Sequence, residues 1–169
     1  MTKNRSFAKT SKTIDKVVKG KMKITFKGDY ATKIILDLSL TYGKGVTQIK
    51  DIAKRQDIPE RYLEQIITLL KNARYINTVR GPKGGVWLAK APSAITLGEI
   101  VRLIEGPTSP ITCVSKSCYT KCDFENGCVL KSVWQEVREK INEVVDKTTY
   151  QDLVDRVKAQ SNEAVNYAI

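Results

Sequence analysis

Between Tyr30 and Leu70 apolar residues recur at helical intervals and the pattern breaks twice, which divides the segment into three helices. Tyr30, Ile34, Ile35 and Leu38 form the inward stripe of the first, predicted over residues 29–41 and stopped by the turn from Gly43 to Gly45. Thr47 is placed to cap the second, which runs to about Gln56 with Ile49, Ile52 and Ala53 facing inward. A short turn from Asp57 to Pro59 follows. Pro59 suits a first helical position, and Leu63, Ile66, Ile67 and Leu70 make an i, i+3, i+4, i+7 stripe on a third helix ending near Asn72. Two helices joined by so tight a turn predict a helix-turn-helix.

The period then shortens. Tyr75 to Val79 and Val86 to Leu88 read as extended, with Gly81, Pro82, Gly84 and Gly85 supplying turn chemistry between them, so a hairpin wing is predicted. A short helix from Thr96 to Glu105 is stopped by Gly106 and Pro107, and a cysteine-bearing loop comes next. Beyond it Leu130, Val133, Trp134, Val137, Ile141, Val144 and Val145 mark one apolar face of a helix of some twenty residues. No neighbouring stretch of sequence covers that face. A second copy of the same helix would, in a pair with two-fold symmetry, so a homodimer is expected; packing onto its own domain is the alternative. Tyr150 to Val157 adds one further helix, and Asn162 to Ile169 carries no pattern.

The predicted fold is therefore mainly α with a small β-hairpin wing, a winged helix-turn-helix followed by a long C-terminal dimerisation helix. Its expected units are a disordered basic extension over 1–21, a DNA-binding domain over 22–92, and a linker helix with the cysteine loop over 93–127. The dimerisation helix and its tail follow over 128–157, with a terminal tail over 158–169.

A chain of 169 residues buries one moderate core, and two large domains do not fit. No stretch approaches eighteen uninterrupted apolar residues and the amino terminus lacks a signal core, so a cytoplasmic protein with no membrane partner is expected. The net charge of +11 favours a polyanionic partner, most simply nucleic acid. Seven Lys and Arg against Asp15 place more than half of that charge in residues 1–21. This extension can follow phosphates as a disordered arm; the plainer interpretation is an extended start ahead of a domain that opens at Met22.

The third helix presents Arg61, Tyr62 and Gln65 near its amino-terminal end, where a recognition helix meets base edges. Arg can grip guanine O6 and N7, and Gln can pair with adenine N6 and N7. Such residues occur on many solvated helices and gain weight here from what flanks them. Thr47, Gln48 and Pro59 lie at helix starts that would face the backbone, while Arg80, Gly81, Lys83 and Gly84 form a tip able to enter a minor groove or meet phosphates. Double-stranded promoter DNA is the expected partner. Enzyme chemistry finds no support, because the chain has no histidine, no Walker-type loop and no nucleophile elbow.

Cys113, Cys118, Cys122 and Cys128 fall within sixteen residues, with gaps of four, three and five. In a reducing compartment clustered thiols serve as metal ligands or redox groups rather than a disulfide framework. Thiolates select zinc, Cu(I) or iron-sulfur. The absence of a C-x-x-C pair fits structural zinc only in part, and an iron-sulfur cluster of either 2Fe-2S or 4Fe-4S type is at least as natural. Metal-free thiols are the bland alternative. Lys116, Lys121 and Lys131 would favour thiolates or an anionic cluster.

MKITFKGDYA from Met22, YLEQ from Tyr62, VRGPKGG from Val79, LIEGP from Leu103 and the C-x5-C-x5-W frame of Cys122, Cys128 and Trp134 together resemble the Rrf-two family of winged-helix regulators. The resemblance spans Met22 to about Asp152 and implies a dimeric regulator that binds a palindromic or imperfectly palindromic promoter site. Cluster-bearing members carry three cysteines in this loop, and Cys113, Cys122 and Cys128 match them best, leaving Cys118 as an extra. Some members add a histidine three residues after the last cysteine, where this chain has Lys131. Others take a fourth ligand from an aspartate in the first helix of the other subunit, a place that Asp29 occupies here. Asp29 and Cys118 thus compete as fourth ligand, although Asp29 is also a carboxylate favoured at a helix start. Further members lack the cluster, which implies the alternative of a repressor controlled by thiol oxidation or by a docked metabolic enzyme.

Overall fold

The computed structural model describes residues 22–166, with side chains as far as Ser161. The basic extension over 1–21 and residues 167–169 lie outside it. Helix α1 spans Phe26–Leu40. It starts three residues ahead of the predicted point because Thr25 caps it, its hydroxyl accepting from the Gly28 amide at 3.4 Å. The Thr25 amide and hydroxyl in turn both donate to Glu105 Oε1 at 2.7 Å, so the LIEGP carboxylate fixes the entry into α1.

Helices α2 (Ile49–Gln56) and α3 (Glu60–Asn72) form the helix-turn-helix. Two of the predicted helix starts need correcting. Thr47 does not cap α2: its amide donates to Val86 O at 2.9 Å and its carbonyl accepts from Val86 N at 2.8 Å. An extended residue committed to an antiparallel bridge leaves Gln48 as the N-cap residue, with no side-chain cap. Pro59 is likewise the N-cap residue of α3 rather than its first helical residue. Its ψ of 126° is extended, and its carbonyl accepts from Tyr62 and Leu63. Between the two helices Asp57 adopts φ 51°, which turns the chain and buries Ile58.

Strands β1 (Ile76–Val79) and β2 (Gly85–Leu88) pair antiparallel, Ile76 opposite Leu88 and Val79 opposite Gly85. Gly85 is required by close approach, since a Cβ there would lie 2.2 Å from the Thr47 carbonyl oxygen. The chain then enters α4 (Leu97–Glu105) through a full capping box: Thr96 Oγ1 accepts from Glu99 N at 3.2 Å, and Thr96 N donates to the Glu99 carboxylate at 2.9 Å. Gly106, with φ 85°, ends it. After the cysteine loop come α5 (Val129–Lys147) and α6 (Tyr150–Asn166).

The core gathers Ile34, Ile35 and Leu38 of α1, Ile52 of α2, and Leu63, Ile66 and Leu70 of α3. Ile76, Val86, Ile95 and Ile100 close it. Helix α6 turns back against α1 and seats Tyr150 in the same core, so the tail carries structural weight that its sequence pattern only hinted at. Asp37 is buried on α1 and is held by Arg55 through Nε to Oδ1 at 2.9 Å and Nη2 to Oδ2 at 2.7 Å, with Gln56 adding a third donor at 3.1 Å. This fork locks α2 onto α1.

Tyr150 is fully buried, and among the described residues its hydroxyl has no hydrogen-bond partner. Burial pushes its ionisation far above the ordinary phenol range. A buried, unsatisfied hydroxyl costs about 1–3 kcal/mol, so Tyr150→Phe is expected to raise stability by about 1 kcal/mol in urea unfolding. Tyr150→Ala should lose about 3–5 kcal/mol through the cavity it opens.

Candidate nucleic-acid interface and cysteine loop

Because Leu63, Ile66, Ile67 and Leu70 are drawn into the core, α3 turns Arg61 and Gln65 to solvent. Tyr62 behaves differently. It is half-buried, its ring meeting that of Tyr30 edge-on at 5.7 Å between centroids, so it braces α3 against α1 more than it faces outward. Gln48, Arg80, Gly81 and Gly84 gather around one groove of about 470 Å³ between the start of α2, the outer side of α3 and the wing. Lys83 and Pro59 are exposed at its margins, whereas Thr47 is half-buried and occupied with Val86.

The same groove takes in Lys50, Glu60 and Glu64, which the sequence patterns did not single out. Glu64 stands within YLEQ, next to Gln65, and a carboxylate there can accept from cytosine N4. The arrangement sets an exposed polar helix face beside a glycine-turned tip with φ 120° at Gly81, with cations at Lys50, Arg80 and Lys83.

In the cysteine loop the four thiols separate into two kinds. Cys113, Cys122 and Cys128 are half-buried, while Cys118 is exposed and its amide is tied to Ser115 Oγ at 3.0 Å. The Cys113 thiol is pushed up first by burial and then by the neighbouring Cys122, Glu125 and Cys128. These three thiols and one carboxylate therefore share an electrostatic neighbourhood. The sequence patterns passed over Glu125. It accepts from Lys131 Nζ and, at 2.6 Å, from the Tyr119 hydroxyl, and these two hydrogen bonds hold its carboxyl below the usual range. Lys131 thus ties the loop to the first turn of α5. Asp29 lies in the first turn of α1, paired with Lys33 at 2.7 Å and 42 % exposed. Among the described residues no three His, Cys, Asp or Glu side chains converge at metal-ligating distance. The donor types suit an iron-sulfur cluster, and closing them on one requires the loop to tighten.

In reduced, metal-free protein, iodoacetamide is expected to modify Cys118 first and Cys113 last, because Cys118 is exposed while burial pushes the Cys113 thiol up. Peptide mass spectrometry over a time course checks the order.

A helix-turn-helix joined to a hairpin wing, with an exposed polar face on its second helix, defines a winged helix-turn-helix DNA-binding protein. Residues 24–156 match the Rrf2 family model, described as iron-dependent transcriptional regulator, and the chain belongs to that family. It is a DNA-binding transcriptional regulator and not an enzyme. The chain is 37 % identical over 132 residues to the HTH-type transcriptional regulator CymR of Bacillus subtilis, covering 78 % of this chain and 89 % of CymR. The solved structure of that protein, described as the global cysteine regulator, superposes with a TM-score of 0.69 at 35 % identity, over 80 % of this chain and 98 % of that one. The structure of T. potens IscR gives a TM-score of 0.66 at 37 % identity, covering 82 % and 91 %.

Proposed function

We propose that the protein is a homodimeric, promoter-binding regulator of the cytoplasm whose grip on DNA is set by an iron-sulfur cluster at Cys113, Cys122 and Cys128. The observation that carries this is the segregation of those three half-buried thiols from the exposed Cys118. When bound, such a cluster supplies a redox- and nitric-oxide-reactive centre. The chain's own residues do the rest. The three thiolates anchor the loop at the start of α5, and any change in their spacing bears on α5 directly, since Cys128 immediately precedes it. A fourth ligand has two candidates from the sequence, Asp29 of the other subunit and Cys118, and the carboxylate of Glu125 is a third.

Dimerisation is supported by the outward face of α5. Val129 is 80 % exposed and Val144 64 %, with Leu130, Val133 and Trp134 between them also exposed. An apolar strip of that length on a 19-residue helix needs a partner, and a two-fold copy covers it. The paired helices would set the separation of two recognition helices and hence of two operator half-sites. A change in the cysteine loop then acts as a population shift between dimer geometries. Arg61 and Gln65, with Glu64 beside them, read base edges; Gln48, Arg80, Gly81, Lys83 and Gly84 hold the backbone.

The absence of a convergent ligand set among the described residues favours a second reading. In it the regulator is cluster-free, and Cys118 oxidises or a metabolic enzyme docks on the dimer. Iron, acid-labile sulfide and zinc measured on anaerobically purified protein, with its visible spectrum, decide between the two. Iron and sulfide in matching amounts with a brown chromophore support the cluster. Colourless protein carrying zinc makes the loop a structural site, and colourless metal-free protein after cluster loading moves the function to thiol redox or a partner.

A further inference from the structure

A pocket of about 300 Å³, lined by no cysteine and no wing residue, is walled by α4, the loop that follows it, the cysteine loop and α5. Its charged groups are Arg102 from α4, Lys116 from the cysteine loop, and Arg138 and Asp146 from α5. Arg102 pairs with Asp146 and Arg138 with Glu139, which leaves Lys116 as the one cation of the pocket without a carboxylate partner among the described residues. Thr108 and Ser109, both buried, line the same space beside Asn142, and the Thr108 hydroxyl donates to Asn142 Oδ1 at 2.5 Å.

Arg138 is incompletely satisfied. Its side chain is only 11 % exposed; one guanidinium nitrogen donates to Val114 O at 2.5 Å and another to Glu139 at 2.8 Å. Its Nε is buried and, among the described residues, has no acceptor. A buried cationic donor without an acceptor is costly, and most such groups in folded proteins meet a protein atom, a water or a ligand. One surplus cation at Lys116, a guanidinium whose buried Nε lacks an acceptor, and buried hydroxyls around one metabolite-sized space form a site for anionic oxygens.

We propose that this pocket binds a small, hydrophilic anionic metabolite through a carboxylate or phosphate group, with Lys116 and Arg138 as its charge partners. The bound anion joins the cysteine loop to α4 and α5, because Lys116, Arg102 and Arg138 come from those three segments. It thereby restrains the loop that enters the long helix, and it does so whether or not the cysteines hold a cluster.

The test uses the purified full-length chain, titrated with inorganic phosphate and with succinate at ionic strength held constant with sodium chloride, and followed by thermal unfolding and calorimetry. Saturable binding of at least one of the two is expected, weakened roughly tenfold or more in Lys116→Ala and in Arg138→Gln, the loss that one charge-assisted hydrogen bond predicts. Because Lys116 is exposed, its variant keeps the test meaningful if Arg138→Gln folds poorly. The Arg80→Ala/Lys83→Ala wing variant should bind as well as the parent, since phosphate could otherwise be reporting the DNA-contacting surface. No saturable effect beyond chloride would leave the cavity to ordered water and overturn the proposal. Binding that survives Lys116→Ala, or that disappears in the wing variant, overturns it equally.

Discussion

Replacing Cys122 with Ala should empty the protein of iron and acid-labile sulfide, while Cys118→Ala keeps both in full where Asp29 or Glu125 supplies the fourth ligand. Cys113, Cys122 and Cys128 are half-buried, and Cys122 and Cys128 both bear on the Cys113 thiol; Cys118 is exposed. With three thiolates as the core of the ligand set, losing one leaves two, too few to retain a cluster against exchange into water. Losing Cys118 removes an exposed side chain that is not among the groups bearing on Cys113. Cys128→Ala should behave like Cys122→Ala and also free the loop at its junction with α5. The measurement is iron and sulfide per chain on anaerobic preparations, beside the visible spectrum and promoter binding of each variant. Full iron and an unchanged promoter response in both Cys122→Ala and Cys128→Ala would end the cluster proposal. A loss confined to Cys118→Ala would reassign the ligand set.

Arg61→Ala and Gln65→Ala should each weaken binding to the cognate operator by about 1–3 kcal/mol, the worth of one bidentate base contact. They should leave binding to unrelated DNA nearly intact. Both side chains project to solvent from the start of a helix whose opposite face is locked into the core, so their removal costs the fold little. Arg80→Ala and Lys83→Ala make the contrast. If cations on the glycine-turned tip hold the backbone as proposed, their loss should lower affinity for every sequence and reduce the salt slope by about one for each phosphate contact removed. Titrations of operator and scrambled duplexes at several salt concentrations separate the two classes. Equal losses on both duplexes for Arg61→Ala would mean that α3 positions the protein without reading bases.

The parts of the fold legible in the sequence were those encoded within one element and its immediate neighbours. The three-helix pattern from Tyr30 to Leu70, the Gly-rich hairpin and the long apolar face of α5 each repeat at intervals that a single helix or strand imposes. Where a residue's role depended on a distant partner, local chemistry misled. Thr47 has the side chain of a cap, but its backbone belongs to Val86. Tyr62 stands at a recognition position, yet Tyr30 holds its ring. Glu125 has no local signature, and its part in the loop follows from Lys131, Tyr119 and the cysteines folding around it.

From the sequence alone came a winged helix-turn-helix with Arg61 and Gln65 outward, a wing bearing Arg80 and Lys83, and four thiols ahead of a long helix, because helical periodicity and turn chemistry act over a few residues. Only the tertiary structure left Cys118 exposed while half-burying the other three cysteines, brought Tyr150 back to α1 and assembled the Lys116–Arg138 pocket. Those arrangements rest on contacts between segments far apart in the chain, which packing and burial decide and no local pattern records.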